Sequence, residues 1–354
     1  MLRAALPLLL AVVSILCAGC AGARPGRVLA RAGDEIVVCG QLVHTGAPVV
    51  LWMDPGGYDA YRVEKRFAKW EKSVWTEDNK GPLTPNRYGV RFGEAGRGAG
   101  GVGARLEEET FEHVRGGGWD LASLQRVVDQ FVIHYDVCGT SRECFRVLHD
   151  ARGLSVHFML DVDGTIYQTL DVKERAWHAT TSNDRSIGIE IAQIGAYPPR
   201  SEPPIDGTSS NPSILDKWYS RDAGAPKGMR TRVTFPPSIG DGGVRTPNFV
   251  ARPARESSVT GEIQGKALEQ YDFTPQQYES LIKLTAALCT VFPNLPCDYP
   301  RDEKGELIRE KLPDDRLAGY RGLLGHYHIQ SGKVDPGPAF DWEKVVRGAK
   351  RLMR

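Results

Sequence analysis

The sequence predicts an α/β domain whose central β-sheet is mixed and flanked by helices. Three observations carry this. Apolar runs of strand type at residues 131–135 and 186–192 alternate with segments of helical spacing. A hairpin with Asp163-Gly164 in its turn adds an antiparallel pair. A helix start is written at Thr274-Pro275, where Thr suits the N-cap and Pro the first helical position.

Taken in chain order, residues 34–39 and 47–52 read as short strands, and Asp54-Pro55-Gly56-Gly57 as a turn. Residues 76–104, rich in Gly, Pro and Asn, read as a long loop that is most open at 98–103. No independent function is legible in residues 28–118, which form either a small appended subdomain or an elaboration of the main domain. The main domain begins near Asp120. Residues 121–130 predict a short helix, 131–135 a strand and 142–150 a helix. Residues 156–161 and 165–168 are the arms of the hairpin. The strand at 186–192 has alternating faces, and Gly188 inside it weakens a strand unless something approaches closely. Residues 196–262 hold ten of the 23 prolines and show no strong period, so they predict an inserted surface excursion. Leu281, Leu284, Leu288 and Val291 follow Thr274 at helical spacing. Residues 342–354 predict a final helix. No internal repeats are present.

Composition narrows the function. With 354 residues, 41% hydrophobic and 25% charged, the chain can bury a core. A net charge of +1 without a Lys/Arg block gives no support for nucleic acid, so any anionic partner is recognised locally. Redox cofactors have no support either.

Residues 1–20 read as a targeting segment. Arg3 is the only charge before an apolar run that is too short to span a bilayer, which takes ~20 residues. The run closes on Cys17-Ala18-Gly19-Cys20, which resembles a bacterial lipoprotein cleavage box with Cys20 as the lipidated residue. Cys17 departs from the Leu usual there, and ordinary cleavage with release is the alternative. Ala21 after Cys20 resembles lipoproteins sorted to the outer membrane of Gram-negative cells, facing the periplasm. Residues 21–27 then form a tether. No later segment is long and apolar enough to be transmembrane.

Of the seven cysteines, five remain beyond residue 20. Cys138 with Cys144, and Cys289 with Cys297, are close in sequence and suggest two local disulfides, leaving Cys39 unpaired. Connectivity is not provable from spacing, and free thiols or a four-cysteine zinc site are the other readings. The two-residue spacing usual in such a zinc site is absent.

Eight histidines are present and no His-Glu-x-x-His motif, so a metal site must be assembled from separate segments. The sharpest signal is Gly325-His326-Tyr327-His328 followed by Lys333-Val334-Asp335-Pro336-Gly337-Pro338. His326 and Asp335 can place two ligands on one metal from a Pro-restricted loop. Lys333, two residues before Asp335, would share its side in extended structure and set an ammonium beside a developing oxyanion.

Four blocks together resemble the zinc N-acetylmuramoyl-L-alanine amidases, the type shared with peptidoglycan-recognition proteins. They are Val132-Ile133-His134-Tyr135; His157-Phe158 with Asp163-Gly164-Thr165-Ile166-Tyr167-Gln168; Ala176-Trp177-His178-Ala179 with Ser186-Ile187-Gly188-Ile189-Glu190; and Gly325-His326 onward to Trp342. The resemblance covers about residues 121–348, interrupted at 196–262. It implies one Zn2+ in a surface groove, held by His134, His326 and Asp335 with the fourth position open to water. Taken alone, His134 would read as a buried strand histidine. The resemblance gives Glu190 as the general base and acid and Lys333 as the oxyanion stabiliser. It sets His178, with Trp177, at the groove edge for substrate contact. His157 reads as hairpin core or a supporting residue. His328 stands where the family often has Asp, and could be a decoy ligand. His44, His113 and His149 read as surface residues. Cys138 with Cys144 also resembles a disulfide of the animal recognition proteins.

The implied reaction is hydrolysis of the amide joining N-acetylmuramic acid to L-alanine, in peptidoglycan or its fragments. The expected organisation is a signal and anchor at 1–20, a tether and N-terminal region at 21–118, and an amidase domain at 119–354, acting as a monomer. The rivals are a non-catalytic muropeptide-binding module, an amidase for another acyl-amide, and a released lytic protein.

Overall fold

A computed structural model describes residues 25–61, 88–89, 91, 105–115, 118–199 and 213–354. The predicted targeting segment, Cys20 and most of the predicted loop 76–104 lie outside these residues. The chain divides into two units, Met1–Ala32 and Gly33–Arg354. The described part of the first has a turn at Pro25-Gly26 and no helix or strand. Every helix and strand among the described residues belongs to the second. No described helix is long and apolar enough to cross a membrane.

Before the first histidine of interest the elements are β1 (Glu35–Val38), β2 (Gln41–His44), β3 (Val49–Leu51), β4 (Tyr88–Gly89), α1 (Glu108–Arg115) and α2 (Leu121–Val127). Next come β5 (Gln130–Tyr135), α3 (Ser141–Phe145), β6 (Phe158–Leu160), β7 (Ile166–Gln168), β8 (Arg175–Ala176) and β9 (Ser186–Ile191). The rest are α4 (Ile214–Trp218), β10 (Tyr219–Arg221), β11 (Thr231–Val233), β12 (Val259–Ile263), β13 (Lys266–Gln270), α5 (Pro275–Val291), α6 (Asp314–Gly319), β14 (Gly322–Gly325) and α7 (Trp342–Leu352).

The central sheet has six strands in the order β14-β5-β9-β6-β7-β3. β14, β5, β9 and β6 run parallel, β7 is antiparallel to β6, and β3 is parallel to β7. The sheet is therefore mixed, as predicted. β3, from the N-terminal region, forms its outer edge.

Strand alternation sorts the side chains. Phe131, Ile133 and Tyr135 of β5 and Ile187, Ile189 and Ile191 of β9 enter one core with Leu281, Leu284 and Leu288 of α5 and Trp342, Val345 and Ala349 of α7. The opposite face of the same strands carries Val132, His134, Gly188 and Glu190. Val132 packs there with Leu317, Leu324 and Ile329. At the N-terminal end of β5 and β9, buried Asp129 receives two bonds from Arg185, at 2.6 and 2.5 Å, and one from Arg105. That pairing locks the two strands in register at the end away from His134.

Several expectations change. The helix predicted for 121–130 stops at Val127, because Val128 turns to extended backbone and Gln130 already belongs to β5. The helix predicted for 142–150 is α3 followed by a π-helical turn at Arg146–Ala151. The predicted excursion 196–262 ends earlier than expected: β12 begins at Val259, and Ile263 and Leu268 of the β12–β13 hairpin are buried in the main core. Cys138 and Cys144 face each other, as do Cys289 and Cys297, but all are free thiols. The two disulfides that the sequence suggested are therefore not formed.

Candidate active site

Three parallel strands deliver the site at their C-terminal ends, where ligands gather in open α/β sheets. His134 lies near the end of β5 and pairs in register with Glu190 near the end of β9. β14 pairs Gly325 with Ile133, so the chain leaves the sheet at His326 beside His134. A loop from His326 then returns to bring Asp335 to the same point.

His134, His326 and Asp335 are all buried, and their donor atoms form a close triangle. His134 Nδ1 is 3.1 Å from His326 Nδ1 and 2.9 Å from Asp335 Oδ2, and His326 Nδ1 is 3.1 Å from the same oxygen. Two imidazole nitrogens and one carboxylate oxygen thus converge on a single point. A cation at the centre satisfies all three. Tetrahedral zinc with bonds of 2.0–2.1 Å sets its ligand atoms about 3.3 Å apart, close to the spacing here. The donor set, two nitrogens and one carboxylate, is also one that zinc takes. Burial, and next His326 opposite, press the His134 pKa down to about 4, which favours the neutral, ligating form. Burial works against Asp335, yet His326 and the hydrogen bonds from both imidazoles hold its carboxyl below the usual range.

The groove around this triangle is lined by Asp136, Val137, Arg152, Trp177, Glu190 and Lys333 among others. Glu190 points its Oε2 into buried space with no hydrogen-bond partner. Burial, then the Asp335 and Asp136 charges, push its pKa well above the ordinary glutamate value. A raised, unpartnered carboxyl beside a ligand cluster suits proton transfer.

His178 approaches more closely than a groove edge requires. Its Nδ1 lies 3.0 Å from His134 Nε2, and its Nε2 lies 3.2 Å from Ser186 Oγ. If His134 Nδ1 is a ligand, Nε2 carries the proton and donates it to His178. The ring sits directly on Gly188, where a Cβ would meet His178 Cε1 and Nδ1 at 2.6 Å. This is the close approach that glycine in the strand foretold. Asn183 Oδ1 accepts from the N–H groups of His178 and Ala179 and holds that loop.

The other histidines divide. His157 is buried; its Nδ1 accepts from Gly188 N–H and its Nε2 donates to the Glu174 carbonyl, so it supports β9. His328 is not a decoy ligand. Its Nδ1 accepts from Gly325 N–H and its Nε2 donates to the Ile308 carbonyl, which turns it away from the triangle. His149 is buried rather than superficial, stacked on Phe145 with centroids 4.5 Å apart. His44 and His113 are exposed.

Sequence reasoning missed three supports. Asp136 Oδ1 accepts N–H bonds from Cys138, Gly139 and Gln193, fixing the chain just after β5. Gln264 and Gln270 of the β12–β13 hairpin both grip the loop that carries Lys333 and Asp335. An Asp after a strand and a Gln in a Gln-Gly turn are too common to single out without the fold.

Fold and site together define a mixed-sheet α/β protein with a His-His-Asp cluster in a groove. Residues 124–212 match the family model described as N-acetylmuramoyl-L-alanine amidase, the family the four sequence blocks resemble. Among solved structures, the chain is similar to the N-acetylmuramyl-L-alanine amidase AmiD from E. coli, in complex with an anhydro-N-acetylmuramic acid peptide, at 18% identity over 62% of this chain and 57% of that one, TM-score 0.32. It is similar to a selenomethionine derivative of AmpD at 17% identity over 63% and 86%, TM-score 0.29. It is also similar to LysC, an amidase from Clostridium intestinale URNW, at 15% over 65% and 89%, TM-score 0.30. The chain thus spans 57% of the AmiD chain. No curated protein matches it.

Proposed function

We propose that this chain is a zinc-dependent amidase that cleaves the bond between the lactyl group of N-acetylmuramic acid and the L-alanine of the stem peptide, in peptidoglycan or its fragments. The observation that carries the reading is the triangle of His134, His326 and Asp335, with Glu190 and Lys333 lining the same groove. His134, His326 and Asp335 would hold the zinc ion, which supplies Lewis acidity and activates water when bound. Glu190 accepts a proton at its carboxylate from the attacking water and returns it to the departing amine nitrogen. Lys333 sets its ammonium against the oxyanion that develops on the carbonyl. His178 holds His134 through Nε2, and Trp177 lines the groove beside it.

The family match over residues 124–212 supports this substrate class. The wider assignment belongs to the same proposal: a lipid on Cys20 tethers a monomer to the outer membrane, facing the periplasm, with residues 119–354 as the amidase domain. A second reading, a muropeptide-binding module without activity, is set aside because both the ligand triangle and Glu190 are present.

The test is zinc content and product mass on a defined muropeptide, for the purified chain and for Glu190→Gln. The expected result is about one zinc per chain, release of an intact stem peptide, loss of activity on chelation, and a rate at least ~100-fold lower in the variant with zinc retained. Zinc and tight muropeptide binding without cleavage would move the reading to the binding module.

A further inference from the structure

β12 and β13 are joined by a two-residue turn, Gln264-Gly265, since Ile263 pairs with Lys266. Both turn residues have positive φ, 49° and 70°. Such a turn is of the type that favours Asn-Gly, and Gln at its first position is a poor local choice. A residue kept in the left-handed region against its preference points to a use elsewhere.

The side chain shows the use. Gln264 Nε2 lies 2.8 Å from the Tyr327 carbonyl, 2.9 Å from that of Gln330 and 3.0 Å from that of Lys333. Its Oε1 accepts from Gly332 N–H at 3.1 Å. Three carbonyls on one side and an N–H on the other fix which end of the amide is which. One side chain thus ties down the whole excursion between His326 and Asp335. Past Asp335 the chain is held separately: Gln270 Nε2 donates to the Pro336 carbonyl and its Oε1 accepts from Ala339 N–H.

We propose that Gln264 is a positioning residue for Lys333: its amide clamps the 327–333 loop so that the Lys333 ammonium stays in the groove. The proposal deepens the amidase reading and rests on it for its kinetic readout. Asp335 has ties besides that clamp, since its carbonyl accepts from Tyr327 N–H and Gln270 holds Pro336 and Ala339 just beyond it, so loss of the Gln264 clamp moves Lys333 more than the metal ligands.

Two substitutions in the full chain separate a clamp from a turn former. Gln264→Asn suits the turn better but is a methylene short of the loop carbonyls. Gln264→Ala loses both. For a clamp, both variants lower kcat by about 10- to 100-fold, the scale of a small misplacement of a reacting group. KM and zinc affinity stay within about threefold of wild type, and Gln264→Asn melts no lower than wild type. Amide hydrogen exchange at residues 329–333 is faster in both. A Gln264→Asn variant with wild-type kcat and wild-type exchange would overturn the proposal. If the wild-type chain has no amidase activity the function fails, while the exchange measurement still decides the clamp.

Discussion

Gly188 shows how one residue can shape a reactive centre by what it lacks. A methyl group there would lie 2.6 Å from the His178 ring, so the ring could not keep its place between His134 and Ser186. Partners that orient a metal-ligating imidazole typically change metal affinity by 10- to 100-fold when lost. Gly188→Ala, which alters no polar group, should therefore weaken zinc binding by about that factor in a competition titration against a chromophoric chelator. Unchanged affinity would mean that His178 does not orient His134. Lys333, His326 and Asp335 were legible from their own Gly/Pro-marked block, whereas His134 and Glu190 stood out only through the resemblance to a known family. His178 was legible as important, but its place against His134 was not, because contact between two loops is not written in local spacing.

At the scale of elements, α5 illustrates how far local chemistry reaches. Its N-cap is Thr274, whose Oγ1 accepts from Gln277 N–H while Gln277 Oε1 accepts from Thr274 N–H. The same hydroxyl donates to the Val162 carbonyl at 2.7 Å, tying the helix to the β6–β7 turn region. Thr274→Ala should cost about 1 kcal/mol for the cap and more for the tie, read as a lower midpoint in urea at unchanged slope. A loss of no more than about 1 kcal/mol would show that the tie contributes nothing beyond the cap. The helix start was legible from Thr274-Pro275 alone. β14 was not: Gly322–Gly325 is short and flanked by glycine, and becomes a strand only through parallel pairing with β5. The β12–β13 hairpin escaped notice because a Pro-rich stretch precedes it, although its side chains grip the loop that bears Lys333.

For the whole molecule, buried carboxyls set a pH dependence. Asp161 is buried beneath the hairpin turn, and burial raises its pKa from 3.8 to about 7. The folded chain holds this proton more tightly than the unfolded chain. Its contribution to stability is full below about pH 4 and is lost as pH rises through about 7. Asp161→Asn keeps an oxygen for the Val162 N–H and removes the titration. Its melting temperature should therefore gain on wild type between pH 5 and pH 8, measured side by side without metal. A constant difference across that range would show that Asp161 does not titrate there.

By itself the sequence determined the fold class, strands β5 and β9, the β6–β7 hairpin and the start of α5, which depend on side-chain period, turn and capping chemistry, all of them local. His134, His326 and Asp335 came as a set only from the resemblance of whole blocks to a known family. Only the tertiary structure decided that His328 turns away while His178 turns in, that the paired cysteines meet as thiols, and that Gln264 holds the Lys333 loop. Each of those depends on which distant backbone groups need a partner once buried, and that demand exists only after the chain has closed around them.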